Sequence, residues 1–227
     1  MNSDHYNDEK KFWDAKGTSP YMSLSPIDQQ RVTQWIRWNG NGSLLDIGGG
    51  SGAVSRLLAN QPNSHCVCID ISSQMLKHAE LPCVQTDALN LPFKNDVFDI
   101  VIAAAFFHHI PRRESELLAE IFRVLRPGGR LIGYDPNATC LQNRLFMMAT
   151  PFRLRIFSPD ERPILPASLK EKALKAGFAN FSYHLFSFQY QKITPFEAIQ
   201  RYLLNPVAVG PLEPLFQRWF FWQTVKN

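Results

Sequence analysis

Glycines and an acid stand close together in residues 46–52, which read DIGGGSG. Gly48, Gly50 and Gly52 occupy alternate positions, so the backbone can adopt positive φ there and a ligand can approach without meeting a Cβ atom. Asp46 precedes this turn. The pattern predicts either a site for a nucleotide-like group or an ordinary tight turn, and the residues that follow decide between the two.

Three further acids each follow a short run of residues typical of a strand. Asp70 comes after CVCI, Asp87 after CVQT and Asp135 after LIGY. Short runs of this kind predict buried strands, and the carboxyl ends of parallel strands meet at one edge of a sheet, where ligands bind. Together with Asp46, which follows SLL, these residues predict a row of four carboxylates along one sheet edge.

The charge beside the glycine turn indicates which ligand it accepts. A dinucleotide-binding turn has the pattern GxGxxG and holds a pyrophosphate at the start of the next helix. Here the glycines are spaced GxGxG, and Asp46 would repel a pyrophosphate but attract a cationic amino group. Asp70 suits the paired hydroxyls of a ribose. The two acids therefore favour a ligand with a ribose and an ammonium group.

Strands alternate with helices along most of the chain. The run FDIVIAAA, residues 98–105, is almost continuously apolar, as expected for a central strand buried on both faces. The alternation predicts an α/β fold with a doubly wound, Rossmann-like sheet of seven strands, mostly parallel with an antiparallel last strand, and helices on both faces. The predicted strands are residues 43–47, 66–70, 82–87, 98–105, 130–135, 181–190 and 220–226, and the predicted helices are residues 26–38, 53–59, 72–80, 114–126, 168–176 and 194–204.

Three regions are expected along the chain. Residues 1–38 form an N-terminal helical arm or lid, whose first part is a mobile segment with aromatic anchors. Residues 39–190 form the core that carries the sheet, and within it residues 136–167 are expected to be irregular and to lie on the substrate side. Residues 191–227 form a helical insertion followed by the last strand.

Composition limits the classes of protein that fit. The chain has 227 residues, of which 45% are hydrophobic and 19% charged, as expected for one globular domain. A net charge of +4 without blocks of like charge does not favour a nucleic-acid partner. No apolar run approaches the roughly 20 residues of a membrane span, and the polar N-terminus lacks a secretion signal. The four cysteines form no CxxC pair, so a cytoplasmic protein is expected.

Five ordered motifs carry a family resemblance. They read DIGGGSG, CIDIS, TDALNLPF, FDIVIAAAFFHHI and RVLRPGGRLIGYDPN, and they lie within residues 40–137. They resemble the class I S-adenosylmethionine-dependent methyltransferases, and most of all the small-molecule branch that contains the ubiquinone/menaquinone-biosynthesis enzymes. The resemblance implies S-adenosyl-L-methionine as the cofactor and S-adenosyl-L-homocysteine as its product.

The resemblance also assigns residues to the methionine and ribose parts of the cofactor. Asp46 and Gly48 would line the methionine end, and Gly50 would let the chain pass close to it. Gly52 completes this part of the cofactor-binding set. Asp70 would accept hydrogen bonds from both ribose hydroxyls.

The adenine is assigned in the same way. The resemblance implies that Ile71 and Leu89 sandwich the ring. Asp87 would accept a hydrogen bond from the exocyclic amine, and Ala88 would offer a backbone N–H. Gly49 stands where the family varies, so no role is expected for it.

The resemblance places two more groups around the reacting end of the cofactor. Ala103 and Ala104, at the end of the fourth strand, would place backbone carbonyls near the sulfonium and amino groups. Tyr21, in the arm, is expected either to act as a lid or to serve as an ordinary apolar anchor.

Methyl transfer from a sulfonium is an in-line displacement, so the enzyme mainly aligns the acceptor and excludes water, and no metal ion is required. A hydroxyl or protonated amine acceptor is helped by a general base with a pKa near 7. His108 and His109, after the fourth strand, are the leading candidates, and their alternative role is to hold a neighbouring loop. Asp135 either contacts the substrate or acts as a base, or it caps the following turn.

Two groups of residues bear on the acceptor. Arginines after the fifth strand form either a patch for an anionic substrate or a solvated loop. Aromatic and apolar residues near the C-terminus form a roof over an apolar acceptor, part of the core, a dimer face or a contact with a membrane surface. The arginines are Arg144, Arg153, Arg155 and Arg162, and the apolar residues are Phe186, Phe188, Phe196, Tyr202, Leu212, Phe216 and Trp219.

The sequence therefore predicts a methyltransferase that acts on a small or lipid-like metabolite at an oxygen atom. A tRNA or other nucleic-acid methyltransferase is one alternative, but no basic stripe or added RNA-binding module supports it. A cofactor-binding protein without transferase activity is the other. The expected partner is a small-molecule acceptor.

Overall fold

Seven strands form one sheet in the computed structural model, which describes residues 3–16, 24–59, 63–148, 158, 160–188 and 213–227. Their order across the sheet is β3-β2-β1-β4-β5-β7-β6 in chain numbering. The strands are β1 (Asn41–Ile47), β2 (Asn63–Asp70), β3 (Cys83–Gln85), β4 (Phe98–Ala104), β5 (Leu125–Pro136), β6 (Phe178–Phe186) and β7 (Trp219–Lys226).

The sheet is parallel except for its last strand in sequence. β1 pairs in parallel with both β2 and β4, and β4 pairs in parallel with β5. β7 lies between β5 and β6 and is antiparallel to both. The strand order reverses between β1 and β4, which is the point where open α/β sheets bind ligands. The predicted fold is confirmed.

Helices cover both faces of the sheet. Successive residues of β1 point to opposite sides, as in any strand. Leu44 packs in an apolar cluster with α2, and Leu45 packs in a second cluster with α5 and α7. The helices are α1 (Ser3–Lys16), α2 (Pro26–Ile36), α3 (Ser55–Ala59), α4 (Ser73–Leu76), α5 (Glu114–Val124), α6 (Leu141–Met148), α7 (Pro166–Lys175) and the short α8 (Glu213–Phe216). Within the described ranges, no helix is both long and apolar enough to cross a membrane.

Two helices lie where the sequence predicted irregular chain. α1 lies in the first part of the arm, which was predicted to be mobile, and α6 lies inside the segment 136–167. α1 is polar along most of its length, so periodicity gives little sign of it. Tertiary contacts hold it instead, because the Asp14 carboxylate accepts a hydrogen bond of 2.6 Å from the Ser72 hydroxyl at the start of α4.

The strands near the C-terminal half differ from the prediction in their bounds. β5 begins at Leu125, before the predicted start at residue 130, because β4 already pairs with it there through Phe98. Lys226 of β7 also donates a hydrogen bond of 2.7 Å to the Leu125 carbonyl. β6 covers Phe178–Phe186 rather than 181–190. The predicted helix 194–204 lies outside the described residues.

Trp222 links the antiparallel strand to the rest of the core. Its side chain is fully buried and packs edge-on against Phe107, with ring centroids 5.1 Å apart. Its indole Nε1 donates a hydrogen bond of 3.0 Å to the Asp135 carboxylate on β5. The last strand thus supplies a donor to a fully buried acid, which would otherwise carry a large desolvation cost.

Replacing Trp222 by phenylalanine should lower the free energy of unfolding by about 1–3 kcal/mol, because a buried carboxylate oxygen loses its donor. Urea unfolding followed by circular dichroism measures the change. Tyr183→Phe is the matched control, since Tyr183 pairs with Trp222 across the sheet and is 47% exposed. Equal stability of Trp222→Phe and Tyr183→Phe would contradict this role of the indole.

Candidate active site

The glycine turn after β1 forms one wall of a deep cleft at the carboxyl edge of the sheet. Its backbone needs glycine at alternate positions, since φ is +63° at Gly48, +53° at Gly50 and +73° at Gly52. A Cβ atom at Gly48 would also collide with the Phe106 ring. The predicted turn therefore has the conformation that its glycines permit, and Gly48 and Gly50 lie on the cleft wall.

Gly49 has a structural role that the sequence did not reveal. A Cβ atom there would lie 2.6 Å from the Asp46 carboxylate and 2.6 Å from the Cys68 sulfur. Its N–H donates to the Ile69 carbonyl (3.1 Å), which ties the turn to β2. The missing side chain thus leaves room for the acid beneath the turn, and no local pattern in the sequence signals this contact.

Asp46 is a buried carboxylate with little local compensation. Only 1% of the residue is exposed, yet it lies on the cleft wall. Ser55 is the polar group that faces it, but no hydrogen bond of regular geometry joins the carboxylate to any described residue. Burial raises the pKa of Asp46 to about 7, and Ser55 offsets only part of that rise. A cationic group in the cleft would fit this carboxylate.

Asp70 is held more firmly at the end of β2. Its carboxylate accepts hydrogen bonds from the backbone N–H of Gly50 (3.0 Å) and of Ser72 (2.8 Å). Burial raises the pKa of Asp70 to about 6, although these N–H groups oppose the rise. The carboxylate therefore connects the glycine turn to the start of α4 and presents its remaining acceptor capacity to the cleft.

Most of the other residues predicted to bind a cofactor lie on the same wall. Ala103 is fully buried in β4, and neither it nor Gly52 is on the cleft surface. Tyr21 lies outside the described residues. The predicted residues that line the cleft are Asp46, Gly48, Gly50, Asp70, Ile71, Asp87, Ala88, Leu89 and Ala104.

Asp87 is fixed within its own turn, as Asp70 is. Its carboxylate accepts a hydrogen bond of 2.9 Å from the Leu89 N–H, so part of its capacity is used inside its own turn. This contact fixes the loop that carries Ala88 and Leu89 to the cleft. Of the four acids predicted in a row, three line the cleft, and the fourth, Asp135, lies behind the wall.

Asp135 holds His108 rather than facing the cleft. The carboxylate is fully buried, and its Oδ1 lies 2.9 Å from His108 Nδ1 and accepts the His108 backbone N–H at 3.2 Å. On the other side of the ring, His108 Nε2 lies 3.4 Å from Glu161 Oε1. Burial alone would lower the pKa of His108, but the bonds to Asp135 and Glu161 outweigh it and raise the pKa to about 9.

His109 lies next to His108 and also lines the cleft. Its Nδ1 lies 3.6 Å from Glu161 Oε2 and 3.8 Å from Glu9 Oε2. The Trp13 ring packs against it in a T-shaped arrangement, with ring centroids 5.3 Å apart. The structure therefore brings together the two predicted histidines with two carboxylates that the sequence did not indicate.

Glu9 and Glu161 come from segments without a recognisable motif. Glu9 lies in α1, and Glu161 lies in the segment predicted to be irregular. Both are at least nine-tenths buried, which their lone positions among polar neighbours do not predict. From α1, Glu9, Trp13 and Lys16 line the cleft, so this helix forms part of its wall.

The residues predicted to contact the acceptor are dispersed. Arg144 and Arg162 are exposed, and neither lines the cleft. Trp219 does line it, beside Tyr134 at a ring distance of 5.9 Å, while Phe186 is buried in the core. The side chain of Phe216 and all of Arg153, Arg155, Phe196, Tyr202 and Leu212 lie outside the described part of the chain.

The part of the chain that carries the sequence motifs is similar to known proteins. A family model described as a methyltransferase domain matches residues 45–133. This segment holds the glycine turn, the acids of β1 and β2, and both histidines. The resemblance to class I S-adenosylmethionine-dependent methyltransferases is confirmed there.

Two curated relatives match over similar stretches. The ubiquinone/menaquinone biosynthesis C-methyltransferase of Roseobacter denitrificans is 34% identical over 123 residues, which cover 49% of this chain and 49% of that protein. The human protein named probable tRNA methyltransferase 9B is 31% identical over 123 residues, which cover 52% of this chain and 27% of that protein. The chain spans about half the length of the first of these relatives and less of the second.

A solved structure matches over more of the chain. The SAM-dependent methyltransferase from Archaeoglobus fulgidus superposes with a TM-score of 0.66 at 21% identity and covers 88% of this chain and 93% of that one. At this identity the likeness concerns the fold alone. It agrees with the sheet of seven strands and with the helices on both of its faces.

Proposed function

We propose that this chain, which carries a class I methyltransferase domain, transfers a methyl group from S-adenosyl-L-methionine to a small or lipid-like acceptor. The observation that carries the proposal is the pair of acids beside the glycine turn, the buried Asp46 and the half-buried Asp70, which face one cleft at the switch point of the sheet. One of them has no regular hydrogen-bond partner among the described residues, and the other has acceptor capacity left.

The residues of the cleft fit this cofactor. The Asp46 carboxylate would hold the ammonium group, because a buried carboxylate gains most from a cationic partner. Asp70 would accept the ribose hydroxyls, and Ile71 and Leu89 would enclose the adenine. The bare backbone at Gly48 and Gly50 leaves space for the methionine end.

When bound, the cofactor supplies an electrophilic methyl group on a sulfonium. The chain's own residues then have to align the acceptor and exclude water. α1 supports the second task, since Glu9, Trp13 and Lys16 lie over the cleft. A single covered cleft thus serves both requirements.

The two histidines have different proposed roles on the acceptor side of the cleft. A pKa of about 9 keeps the His108 ring protonated near neutrality, so it is poorly suited to accept a proton. We assign it, with Asp135 behind it, to the fixed wall of the site. His109 is the ring that would contact the acceptor, and its neighbours Glu9 and Glu161 set its orientation.

The rest of the cleft favours an acceptor with an apolar body. Trp13, Met147, Pro163 and Trp219 line it together with the polar groups described above. We propose a hydroxyl-bearing acceptor and transfer to its oxygen. The curated relative named as a C-methyltransferase makes transfer to carbon the alternative product.

Affinity for S-adenosyl-L-homocysteine should fall as the pH is lowered from 7.5 to 5.5. Asp46 must be ionised to pair with the ammonium group, and its pKa of about 7 means that proton loss accompanies binding at low pH. Each pH unit below this pKa costs up to about tenfold in affinity. Calorimetry across this range tests the expectation. Asp46→Asn should bind weakly and show a shallower profile, because Asp70, with a pKa of about 6, still titrates at the acid end of the range. A flat profile for the wild-type protein would contradict it.

Methyl transfer itself is tested with methyl-tritiated S-adenosylmethionine. The acceptors are small phenols and quinols with and without an apolar tail, and total tRNA. The proposal expects label in a small acceptor, with an O-methyl product by mass spectrometry, and no label with Asp70→Ala. Label on carbon would correct the atom that is methylated, and label in tRNA alone would overturn the acceptor class. Tight cofactor binding without transfer to any acceptor would favour a non-transferase protein.

A further inference from the structure

A compact group of nitrogen and oxygen donors lies at the acceptor side of the cleft. His108, His109 and Glu161 each offer one ligand atom, and these atoms all lie within 4.8 Å of one another. The closest approaches are 3.4 Å between His108 Nε2 and Glu161 Oε1, and 3.6 Å between His109 Nδ1 and Glu161 Oε2. Neighbouring ligands of a metal ion about 2.1 Å away lie at similar separations from one another.

The backbone brings these donors together from two parts of the chain. The histidines lie in the 3-10 turn after β4, and Glu161 lies far along the sequence, before α7. The Arg162 N–H donates to the His108 carbonyl at 3.0 Å, which joins the two segments beside the cluster. Glu161 Oε2 also accepts the Ser158 N–H at 3.1 Å. The cluster is therefore built into the fold.

An outer carboxylate fixes one of the rings. His108 Nδ1 is hydrogen-bonded to Asp135, and the Trp222 indole donates a hydrogen bond to the same carboxylate. His108 Nε2 is therefore the ring nitrogen that faces Glu161. Metal-binding histidines usually donate their second ring N–H to a carboxylate in this way, which sets the ring orientation. This arrangement is a second feature, independent of the spacing of the donors, that points to an ion.

We propose that His108, His109 and Glu161 form a binding site for a divalent transition-metal ion. Two imidazole nitrogens and one carboxylate oxygen suit Zn²⁺, Co²⁺ or Fe²⁺ better than Mg²⁺ or Ca²⁺, which prefer oxygen ligands. Three protein ligands leave coordination positions open toward the cleft. Glu9 Oε2 lies 3.8 Å from His109 Nδ1, so Glu9 on α1 can supply a fourth ligand atom.

Without a metal ion, protonated imidazole rings can neutralise the carboxylates of this site. Three buried carboxylates, Glu9, Asp135 and Glu161, surround the two rings. Protons on the rings balance part of that charge when no ion is bound, and an ion would displace the protons from the ligating nitrogens. Proton release on metal addition therefore distinguishes a metal site from a pair of buried ion pairs.

A metal site here was not predicted from the sequence, which gave no reason to expect a metal ion in methyl transfer. Displacement at a sulfonium does not itself need a metal, so the site is inferred from the donors alone. An ion with open positions toward the cleft would bind an acceptor oxygen and lower its pKa. That consequence, unlike the metal site, rests on the proposed methyl transfer.

The test is direct titration of the metal-free protein with Co²⁺ and with Zn²⁺. Visible absorption reports Co²⁺ coordination, calorimetry in two buffers of different ionisation enthalpy reports proton release, and elemental analysis after dialysis reports stoichiometry. We expect a single ion per chain, proton release, and a melting temperature that rises with Zn²⁺ concentration. These readouts need neither cofactor nor acceptor, so a negative result leaves the proposed function standing.

Variants locate the ion. His109→Gln and Glu161→Gln should each weaken Zn²⁺ binding at least about tenfold, with circular dichroism confirming that they fold. His78→Gln and Cys83→Ser are the controls, since both residues are exposed and lie outside the cluster. Absence of binding at millimolar metal, or binding of unchanged affinity in both cluster variants, would overturn the site.

Discussion

Replacing Asp70 by alanine is expected to abolish measurable binding of S-adenosyl-L-homocysteine. The cofactor would lose two hydrogen bonds to a charged acceptor, each contributing about 1.5–3 kcal/mol. Since about 1.4 kcal/mol corresponds to tenfold in affinity, the loss is about 100-fold or more. The Gly50 and Ser72 N–H groups also lose their shared acceptor, so the walls of the cleft loosen. Isothermal titration calorimetry measures the effect.

Glu171→Gln is the control for this substitution. Glu171 forms an i,i+4 pair with Lys175 on α7, both side chains are exposed, and neither lines the cleft. Such pairs contribute little, so this variant should bind the cofactor like the wild-type protein. If Asp70→Ala folds correctly by circular dichroism and binds S-adenosyl-L-homocysteine with unchanged affinity, the cleft is not the cofactor site as proposed.

Replacing Gly49 by alanine is expected to weaken both the fold and the cofactor site. The new methyl group would lie 2.6 Å from the Asp46 carboxylate and 2.6 Å from the Cys68 sulfur, so one of them has to move. Overpacking of this kind costs about 1–3 kcal/mol in the free energy of unfolding. Because Asp46 is the proposed partner of the ammonium group, we also expect a loss of affinity of about tenfold, which corresponds to about 1.4 kcal/mol of binding free energy.

Gly128→Ala separates the backbone effect from the packing effect. No atom outside its neighbours lies within 4 Å of a Cβ at Gly128, although its φ is +77°. This variant should lose about 1–2 kcal/mol of stability through backbone strain and keep its cofactor affinity. Urea unfolding and calorimetry compare the two variants. Wild-type affinity in Gly49→Ala would show that the carboxylate is not held against the turn.

Local signals in the sequence predicted the part of the fold that depends on neighbouring residues. The glycines of the turn at residues 48–52 require positive φ, and the apolar runs of β1, β2 and β4 require burial. These features determined the strand ends, and therefore the edge on which Asp46 and Asp70 lie. These local features did not determine whether a side chain at that edge points into the cleft or into the core. Asp135 lies near the end of its strand, as predicted, but its carboxylate contacts His108 and Trp222 in the interior.

The remaining site residues depend on tertiary contacts. Glu9 reaches the cleft only because α1 docks on α4 through Asp14 and Ser72, which are far apart in sequence. Glu161 reaches it because the chain after α6 returns to His108 through a backbone hydrogen bond. Neither residue stands in a periodic pattern or a motif, so the sequence showed the two histidines without showing the carboxylates that surround them.

A crystal structure of the protein with S-adenosyl-L-homocysteine tests the central assignment most directly. We expect the amino nitrogen within about 3 Å of the Asp46 carboxylate and the ribose hydroxyls at the same distance from Asp70. The adenine should lie between Ile71 and Leu89, and the sulfur should point toward His109. A ligand bound outside this cleft, or bound in it with the adenine against Asp46, would show that Asp46 and Asp70 do not hold the cofactor.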